Sequence, residues 1–301
     1  MNDWLLPALL SPLLFSVVAL IDKRILSEFR IPLRSFNLFV GASQGLIGTI
    51  VLLTAPGNGL SAVTVMSALG IGITQGFGLS LMFWMLQRED PSRVIPAMQT
   101  SPIFVALLAW PIFGESLGGI QWLAVFLAVG GGTLSSFGAR RGSSSYGFSP
   151  VYLLLIISAL LMASSQLLTK SITDDLATHQ VVGFRGIGLF TVMWMLFARR
   201  NTVAGLGEFL RRKKQAPWLL LSEGIMPFGG HLLITTAISR GPVGLVAAVT
   251  GSRPIFVFIL SVILSRTAPG YIFEKLTGRD LALKLLSATL VVTAIVLISV
   301  T

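Results

Sequence analysis

Four ionisable side chains interrupt long apolar stretches of this sequence: Arg185, Glu223, His231 and Arg253. A charged group in an apolar, membrane-like environment is costly, so such residues usually face a water-filled cavity or a partner. Arginine binds carboxylate and phosphate groups through two parallel hydrogen bonds. Buried glutamate and histidine can exchange protons. These residue types predict a polar binding site that could recognise anions and carry protons.

The spacing of these residues predicts how they meet. Glu223, Pro227 and His231 are four residues apart, so they lie on one face of a helix. From the helical rise, Glu223 and Arg253 differ by about 6 Å in depth, and His231 shares its depth with Arg185. We therefore expect two pairs, Glu223 with Arg253 and His231 with Arg185. One interpretation is an ion pair that only fixes helix packing, and the other is that an arginine contacts a ligand. Two arginines against one glutamate leave a cationic excess, which favours a carboxylate or phosphate ligand.

Polar amides extend this predicted site. Four glutamines lie in the middle of apolar stretches: Gln44, Gln75, Gln99 and Gln166. Each could instead serve only as a hydrogen-bond link between helices. The segment Gln99–Pro102 aligns with Thr250–Pro254, and both place polar side chains before a proline that weakens a helix. These two symmetry-related breaks are the best pointer to a central site.

The elements that must position these residues are membrane-spanning helices. Hydrophobic residues make up 53% of the chain and charged residues only 11%, against about 25% charged in soluble domains. A span needs about 20 apolar residues. We predict ten spans, at 4–21, 35–53, 64–86, 93–113, 117–137, 149–168, 180–198, 217–239, 243–265 and 281–300. Glycines in the third span, Gly70, Gly72, Gly76 and Gly78, predict close helix approach.

Basic residues are distributed unevenly between the loops. Of the 22 lysines and arginines, 18 lie in or beside the odd-numbered gaps between spans. Cytoplasmic loops carry this excess, so both termini are predicted to face outward from a plasma (bacterial inner) membrane. A net charge of +10 could indicate nucleic-acid binding. These charges, however, sit beside membrane ends where they meet anionic lipid. We expect membrane lipids, and not nucleic acid, as partners.

The chain resembles itself. Ser11–Ile25 and Ser158–Ile172 share several identities at an offset of 147, and Pro102–Val105 recurs as Pro254–Val257 at an offset of 152. Matches in the same order at similar offsets indicate a duplication. Because each half has five spans, the second half must enter the membrane in the opposite sense, as an inverted repeat. We predict repeats at 1–139 and 149–301, joined by a cytoplasmic linker at 140–148.

The segment Pro102–Leu134 carries the strongest family resemblance. It reads PIFVALLAWPIFGESLGGIQWLAVFLAVGGGTL, with Gly114-Glu115 at the turn between two apolar helices. With ten spans in two halves, it resembles the EamA-type branch of the drug/metabolite transporter superfamily. The second half departs from the pattern, since no Gly-Glu pair follows Pro254-Ile-Phe-Val257. Members of this family are often described with both termini in the cytoplasm, opposite to what the charge distribution predicts here.

The resemblance implies a transporter of metabolites, and the predicted site suggests what it carries. We expect a secondary transporter for a small anionic or zwitterionic metabolite, working by alternating access between the inverted repeats. The predicted substrate-binding residues are Arg253, Arg185, Glu223, His231, Gln99, Gln75, Gln44 and Gln166. The fifth and tenth spans, with few polar residues, are candidates for a homodimer surface.

Other functions have weaker support. A flippase for lipids or lipid-linked head groups could use the same scaffold, but it would need a groove open sideways to lipid. An enzyme is not expected, because His179 and His231 are the only histidines and no HExxH or GxSxG motif occurs. The chain has no cysteine and no Walker A motif, so we expect no metal, no cofactor and no ATP drive.

Overall fold

The structure, a computed structural model, describes residues 3–55, 60–88, 94, 97–135, 150–267 and 278–300. In this part of the chain the secondary structure is helical, as the sequence predicts. The predicted linker at 140–148 and four of the basic loop residues, Arg93, Arg140, Arg141 and Lys275, lie outside the described residues.

The helices follow one another with short connections. Their bounds are α1 Leu5–Ser27, α2 Leu33–Thr54, α3 Ala62–Leu86, α4 Ser101–Phe113, α5 Gly119–Ser135, α6 Pro150–Ile172, α7 Thr178–Phe197, α8 Arg200–Leu210, α9 Ala216–Leu220, α10 Met226–Arg240, α11 Val243–Thr250, α12 Arg253–Thr267 and α13 Gly278–Val300. A π-helical turn, Leu221–Ile225, joins α9 to α10.

Length and composition make this bundle an integral membrane protein. Six described segments are long and apolar enough to cross a bilayer: Leu5–Leu26, Leu33–Thr54, Ala62–Leu86, Leu153–Ile172, Thr178–Phe197 and Val243–Leu264. Three shorter apolar helices accompany them, at Ser101–Phe113, Gly119–Leu134 and Leu285–Val300. Many large apolar side chains on these helices are exposed, as expected where the surrounding solvent is lipid.

The first helix is longer than its apolar stretch. The predicted span ends at residue 21, but α1 continues to Ser27. Backbone bonding carries on at the helix end, where the N–H of Glu28 donates to the carbonyl of Arg24 at 2.8 Å. An ion pair one turn apart, Arg24 with Glu28 at 2.8 Å, supports this last turn. Hydropathy falls at Asp22 while the helix does not end, so Asp22 belongs to the bundle.

Two predicted spans are interrupted helices. The stretch predicted at 217–239 is covered by α9, the π-helical turn and α10. The stretch predicted at 243–265 breaks between α11 and α12, where Gly251 and Ser252 form a turn. The matching position of the first half, at Gln99 and Thr100, is also a turn. Both proline-linked breaks that the sequence predicts are therefore present.

Glycines let α2 and α3 approach α7 closely. A methyl group on Gly72 of α3 would collide with the backbone carbonyl of Arg185 on α7. A methyl group on Gly186 of α7 would likewise collide with the carbonyl of Gln44 on α2. Without side chains at these crossings the three backbones come into contact, and the residues around Arg185 meet as a consequence.

The substitution Gly72→Ala tests this close approach. Because the new methyl group meets backbone that cannot rotate away, we expect the free energy of unfolding to fall by about 1–3 kcal/mol. The measurement is the melting temperature of the detergent-purified protein. The matched control is Gly70→Ala on the same helix, where the new methyl group would meet only Leu168 Cδ1, at 3.7 Å. Equal loss in both variants would contradict the close approach as the cause.

Candidate functional site

Arg185 is the centre of a buried hydrogen-bond network. Its side chain is only 3% exposed, in the middle of α7. Nη1 donates to Oε1 of Gln75 at 2.8 Å, and Nη2 donates to Oε1 of Gln44 at 2.7 Å. Two neutral amides on two different helices therefore hold this cation. Its Nε atom is also buried and has no hydrogen-bond partner among the described residues.

Gln44 continues the network to the π-helical turn. Its Nε2 donates to the backbone carbonyls of Glu223 at 2.8 Å and Gly224 at 3.0 Å. The hydroxyl of Ser43 donates to the same Glu223 carbonyl at 2.8 Å. A π-helical turn disturbs the regular bonding of a helix, and such turns are frequent at functional sites. Side chains of α2 therefore satisfy the backbone where α9 passes into α10.

Gln75 joins Arg185 to His231. The Gln75 Nε2 atom lies 3.4 Å from His231 Nε2, in a contact whose donor depends on the histidine tautomer. The expected pair of His231 with Arg185 is therefore bridged by an amide, which contacts both side chains.

Arg253 occupies the first position of α12, directly after the helix break. The residue is exposed. Its guanidinium carbon lies 5.6 Å from the centre of the Phe15 ring. Its backbone carbonyl accepts a hydrogen bond from Ser16 of α1 at 3.0 Å. Arg253 is thus held by its backbone, while its charged group remains accessible.

Phe15 contacts two basic side chains, His231 and Arg253. Its ring meets the His231 ring edge-on, with centroids 5.1 Å apart, and it also lies under Arg253. Packing against Gly230 fixes the ring, because a methyl group there would meet the Phe15 ring carbons at 2.8 Å. The sequence analysis missed Phe15, since one phenylalanine in an apolar span carries no distinguishing signal.

Asp22 is the second residue that the sequence analysis missed. Its carboxyl group lies beside the carboxyl group of Glu223 and near Ser222. Arg253 acts electrostatically on both acids. The Oδ1 atom of Asp22 is buried without a hydrogen-bond partner among the described residues. The expected Glu223–Arg253 pair is thus part of a three-residue cluster. Asp22 therefore adds a second acid beside Arg253, which the count of two arginines against one glutamate omitted.

The remaining predicted glutamines play different parts. Gln99 donates from Nε2 to the Gly251 carbonyl at 3.0 Å, so it links the two helix breaks. Gln166 is half-buried on α6, and its Oε1 atom is buried without a hydrogen-bond partner among the described residues. Hydrogen bonds therefore connect Gln44 and Gln75 to the Arg185 network, whereas Gln99 acts at the breaks and no described hydrogen bond joins Gln166 to either group.

Glu115 of the predicted Gly-Glu turn closes one end of the bundle. Its Oε2 accepts from the backbone N–H of Val243 at 2.8 Å, and its Oε1 lies 3.7 Å from Lys170 Nζ. Lys170 in turn donates to the carbonyls of Ile238 and Gly241, both at 3.1 Å. The α4–α5 turn is thereby tied to the ends of α6 and α10 and to the start of α11.

A cavity of 610 Å³ lies away from this network, at the opposite end of the bundle from Glu115. It is lined by parts of α2, α3, α6, α7 and α8, and Arg34 and Arg199 are among its residues. We call this the basic end of the bundle. None of the eight predicted site residues lines this cavity. Within the described residues no group of three potential ligands from His, Cys, Asp and Glu could hold a metal ion.

In a comparison with known proteins, a model of the EamA-like transporter family matches residues 3–137 and 149–300 of this chain. No curated protein matches the chain. One solved crystal structure aligns with 100% of this chain and 97% of its own, with a TM-score of 0.71 and 16% sequence identity. At that identity the likeness shows a common fold alone.

The substitution Gln44→Leu tests the Arg185 network. It removes one acceptor from a buried cation and the donor to two carbonyls, so we expect a loss of about 2–5 kcal/mol in the free energy of unfolding. The measurement is the thermal stability of the purified protein. Thr49→Val on the same helix is the control, because its hydroxyl bonds only to its own helix, at Gly45. A loss no larger than in this control would show that the network does not support the fold.

Proposed function

We propose that this chain, which belongs to the EamA-like transporter family, is a secondary transporter for a small zwitterionic or anionic metabolite. Substrate binds at Arg253, and access alternates between the two sides of the membrane. The single observation that carries the proposal is that Arg253 is exposed and interacts electrostatically with the carboxyl groups of Asp22 and Glu223. Such a site offers charges of both signs to a polar solute.

The charge balance of the cluster favours a zwitterion. Arg185 is buried and already bonded to two amides, so its charge serves the protein itself. Arg253 is exposed and can take a carboxylate in bidentate geometry. Asp22 and Glu223, which interact with this arginine, can receive an ammonium group. The anionic alternative requires one of the two acids to be protonated, because a negative solute would otherwise meet two negative groups.

Alternating access requires two halves, and the packing of the helices supports them. We propose ten spans in two inverted repeats, 1–139 and 149–301, joined by the linker 140–148. If each helix is replaced by its counterpart in the other half, α3 becomes α10 and α6 becomes α1. The contact of α3 with α6 then becomes the contact of α10 with α1, and both contacts are present. The contacts α2–α7 and α5–α13 each map onto themselves. A pattern that survives this exchange is expected of an inverted repeat.

The Glu115 contacts suggest how one side of the site is closed. They join the turn after α4 to segments of the second half, so separating the halves at that end must break them. The charge distribution predicts that this end faces outward. In our proposal the protein lies in the plasma (bacterial inner) membrane with both termini outside, and α5 and α13 are available for a homodimer contact.

A flippase for lipids or lipid-linked head groups is the second candidate. The observation in its favour is the 610 Å³ cavity, several of whose apolar side chains are exposed on the side of the bundle. Against it, the cavity lining includes none of Arg253, Asp22 and Glu223. A lipid path would need polar groups along the whole route of the head group, so we favour a soluble substrate.

A thermal-shift screen against pooled anionic, zwitterionic and cationic metabolites tests the proposed substrate class. A ligand that binds the folded state raises the melting temperature by mass action. At a concentration of 100 times its Kd, it raises the free energy of unfolding by about 2.7 kcal/mol. We expect an amino-acid-like zwitterion or a carboxylate to stabilise the protein, and Arg253→Ala to abolish that shift.

The control for the screen is Arg240→Ala, which removes an equal charge from the exposed end of α10. It should leave the ligand-induced shift unchanged. Stabilisation only by lipids, or a shift that survives in Arg253→Ala, would overturn the proposal and favour the flippase.

Proton coupling is tested by transport in proteoliposomes with the compound from the screen. Since Asp22 and Glu223 lie side by side, a proton on one of them would relieve their repulsion. We expect an imposed pH gradient to stimulate uptake several-fold in the wild type, and Glu223→Gln to keep exchange but lose this stimulation. Glu208→Gln, on the exposed surface of α8, is the control. No stimulation in the wild type would rule out coupling while leaving exchange intact.

A further inference from the structure

We propose that the 610 Å³ cavity at the basic end of the bundle binds an anionic phospholipid from the surrounding leaflet. The head-group phosphate lies between Arg34 and Arg199, and an acyl chain runs along the apolar wall toward Phe77. This inference depends on the protein's place in a membrane, and it holds whether or not the proposed substrate is correct.

The cavity is amphipathic along its length. Arg34, Arg199 and Gln87 lie at its polar mouth, and Leu81, Leu161 and Phe77 form its apolar wall. From Phe77 on α3 to Gln87 just after its end, ten helical steps cover about 15 Å. Phe77 and Leu196 are 38% and 37% exposed on the bundle surface, where lipid replaces water. A cavity of this shape admits a molecule with a charged head and a hydrocarbon tail.

Two cations at the mouth have no ion-pair partner among the described residues. Arg34 and Arg199 are both exposed and both line the cavity. Arginine suits phosphate because its planar donors match the phosphate oxygens. A third, Arg88, stacks on Trp84 with its guanidinium carbon 3.6 Å from the ring centre. Tryptophan is enriched at the level of lipid head groups, so Trp84 places the mouth at the membrane interface.

Asn37 supplies an independent observation. It lines the cavity but is only 1% exposed, and its Oδ1 atom has no hydrogen-bond partner among the described residues. A buried amide without a partner is costly, so a group of the ligand is expected to satisfy it. A head-group hydroxyl next to the phosphate does so, which favours a lipid such as phosphatidylglycerol.

Other occupants fit the cavity less well. A small polar metabolite would lose its hydration against the Phe77, Leu81 and Leu161 wall without gaining polar partners there. The central cluster at Arg253 offers such a solute both signs of charge. A second copy of this chain would bring its own basic end, which carries charge of the same sign.

Native mass spectrometry with added lipid tests this proposal. The full-length protein in detergent is titrated with phosphatidylglycerol and, separately, with zwitterionic phosphatidylcholine of the same acyl chains. We expect at least tenfold tighter binding of phosphatidylglycerol. The double variant Arg34→Ala and Arg199→Ala should reduce that preference at least tenfold. The double variant Arg34→Lys and Arg199→Lys should recover part of it.

The matched control is the double variant Arg200→Ala and Arg211→Ala. It removes the same charge from exposed positions at the basic end but outside the cavity lining, and it should bind phosphatidylglycerol like the wild type. The melting temperature of each variant without lipid verifies that it is folded. Equal binding of both lipids, or equal loss in the control, would overturn the proposal. The proposal would also be overturned if glycerol phosphate, at the same concentration as the lipid, fully displaced phosphatidylglycerol. It would likewise be overturned if the mass spectrum showed a dimer that binds no lipid.

Discussion

The rest of this structure depends on the burial of one guanidinium group. Arg185 lies in the middle of a membrane bundle, where an unpaired charge would cost several kcal/mol. Two glutamine oxygens hold it, at 2.7 and 2.8 Å, and they come from α2 and α3. Those oxygens reach Arg185 only because the backbones touch at Gly72 and Gly186. The crossing of three helices and the solvation of one charge are therefore a single constraint.

The two amides that bind Arg185 also contact other helices of the bundle. Through Gln44 the network holds the π-helical turn at Glu223, and through Gln75 it reaches His231. Arg185 thus has a structural role, whereas Arg253 is exposed. In our proposal, packing and ligand contact therefore belong to different arginines.

Two polar regions of the bundle differ in what surrounds them. The central cluster has two acids, one exposed arginine and a fixed aromatic ring between helices. It suits a solute that brings charges of both signs. The cavity at the basic end joins cations to an apolar wall exposed at the bundle surface. It suits a molecule that is itself divided between a charged head and an apolar tail.

Much of this architecture could be predicted from residue order alone. Apolar stretches predict the helices, the prolines at 102 and 254 predict the two breaks, and four isolated charges predict a polar centre, because each signal is local along the chain. The depth count also brought Glu223 and Arg253 into one cluster. It did not reveal that Gln75 separates Arg185 from His231, since depth along a helix leaves rotation about its axis undetermined. Asp22 was missed because hydropathy ends at residue 21, while helical hydrogen bonding continues to Ser27. The balance of charge at the centre was therefore decided by tertiary structure: it depends on which side chains of different helices face one another, and that is set by where glycines let the backbones meet.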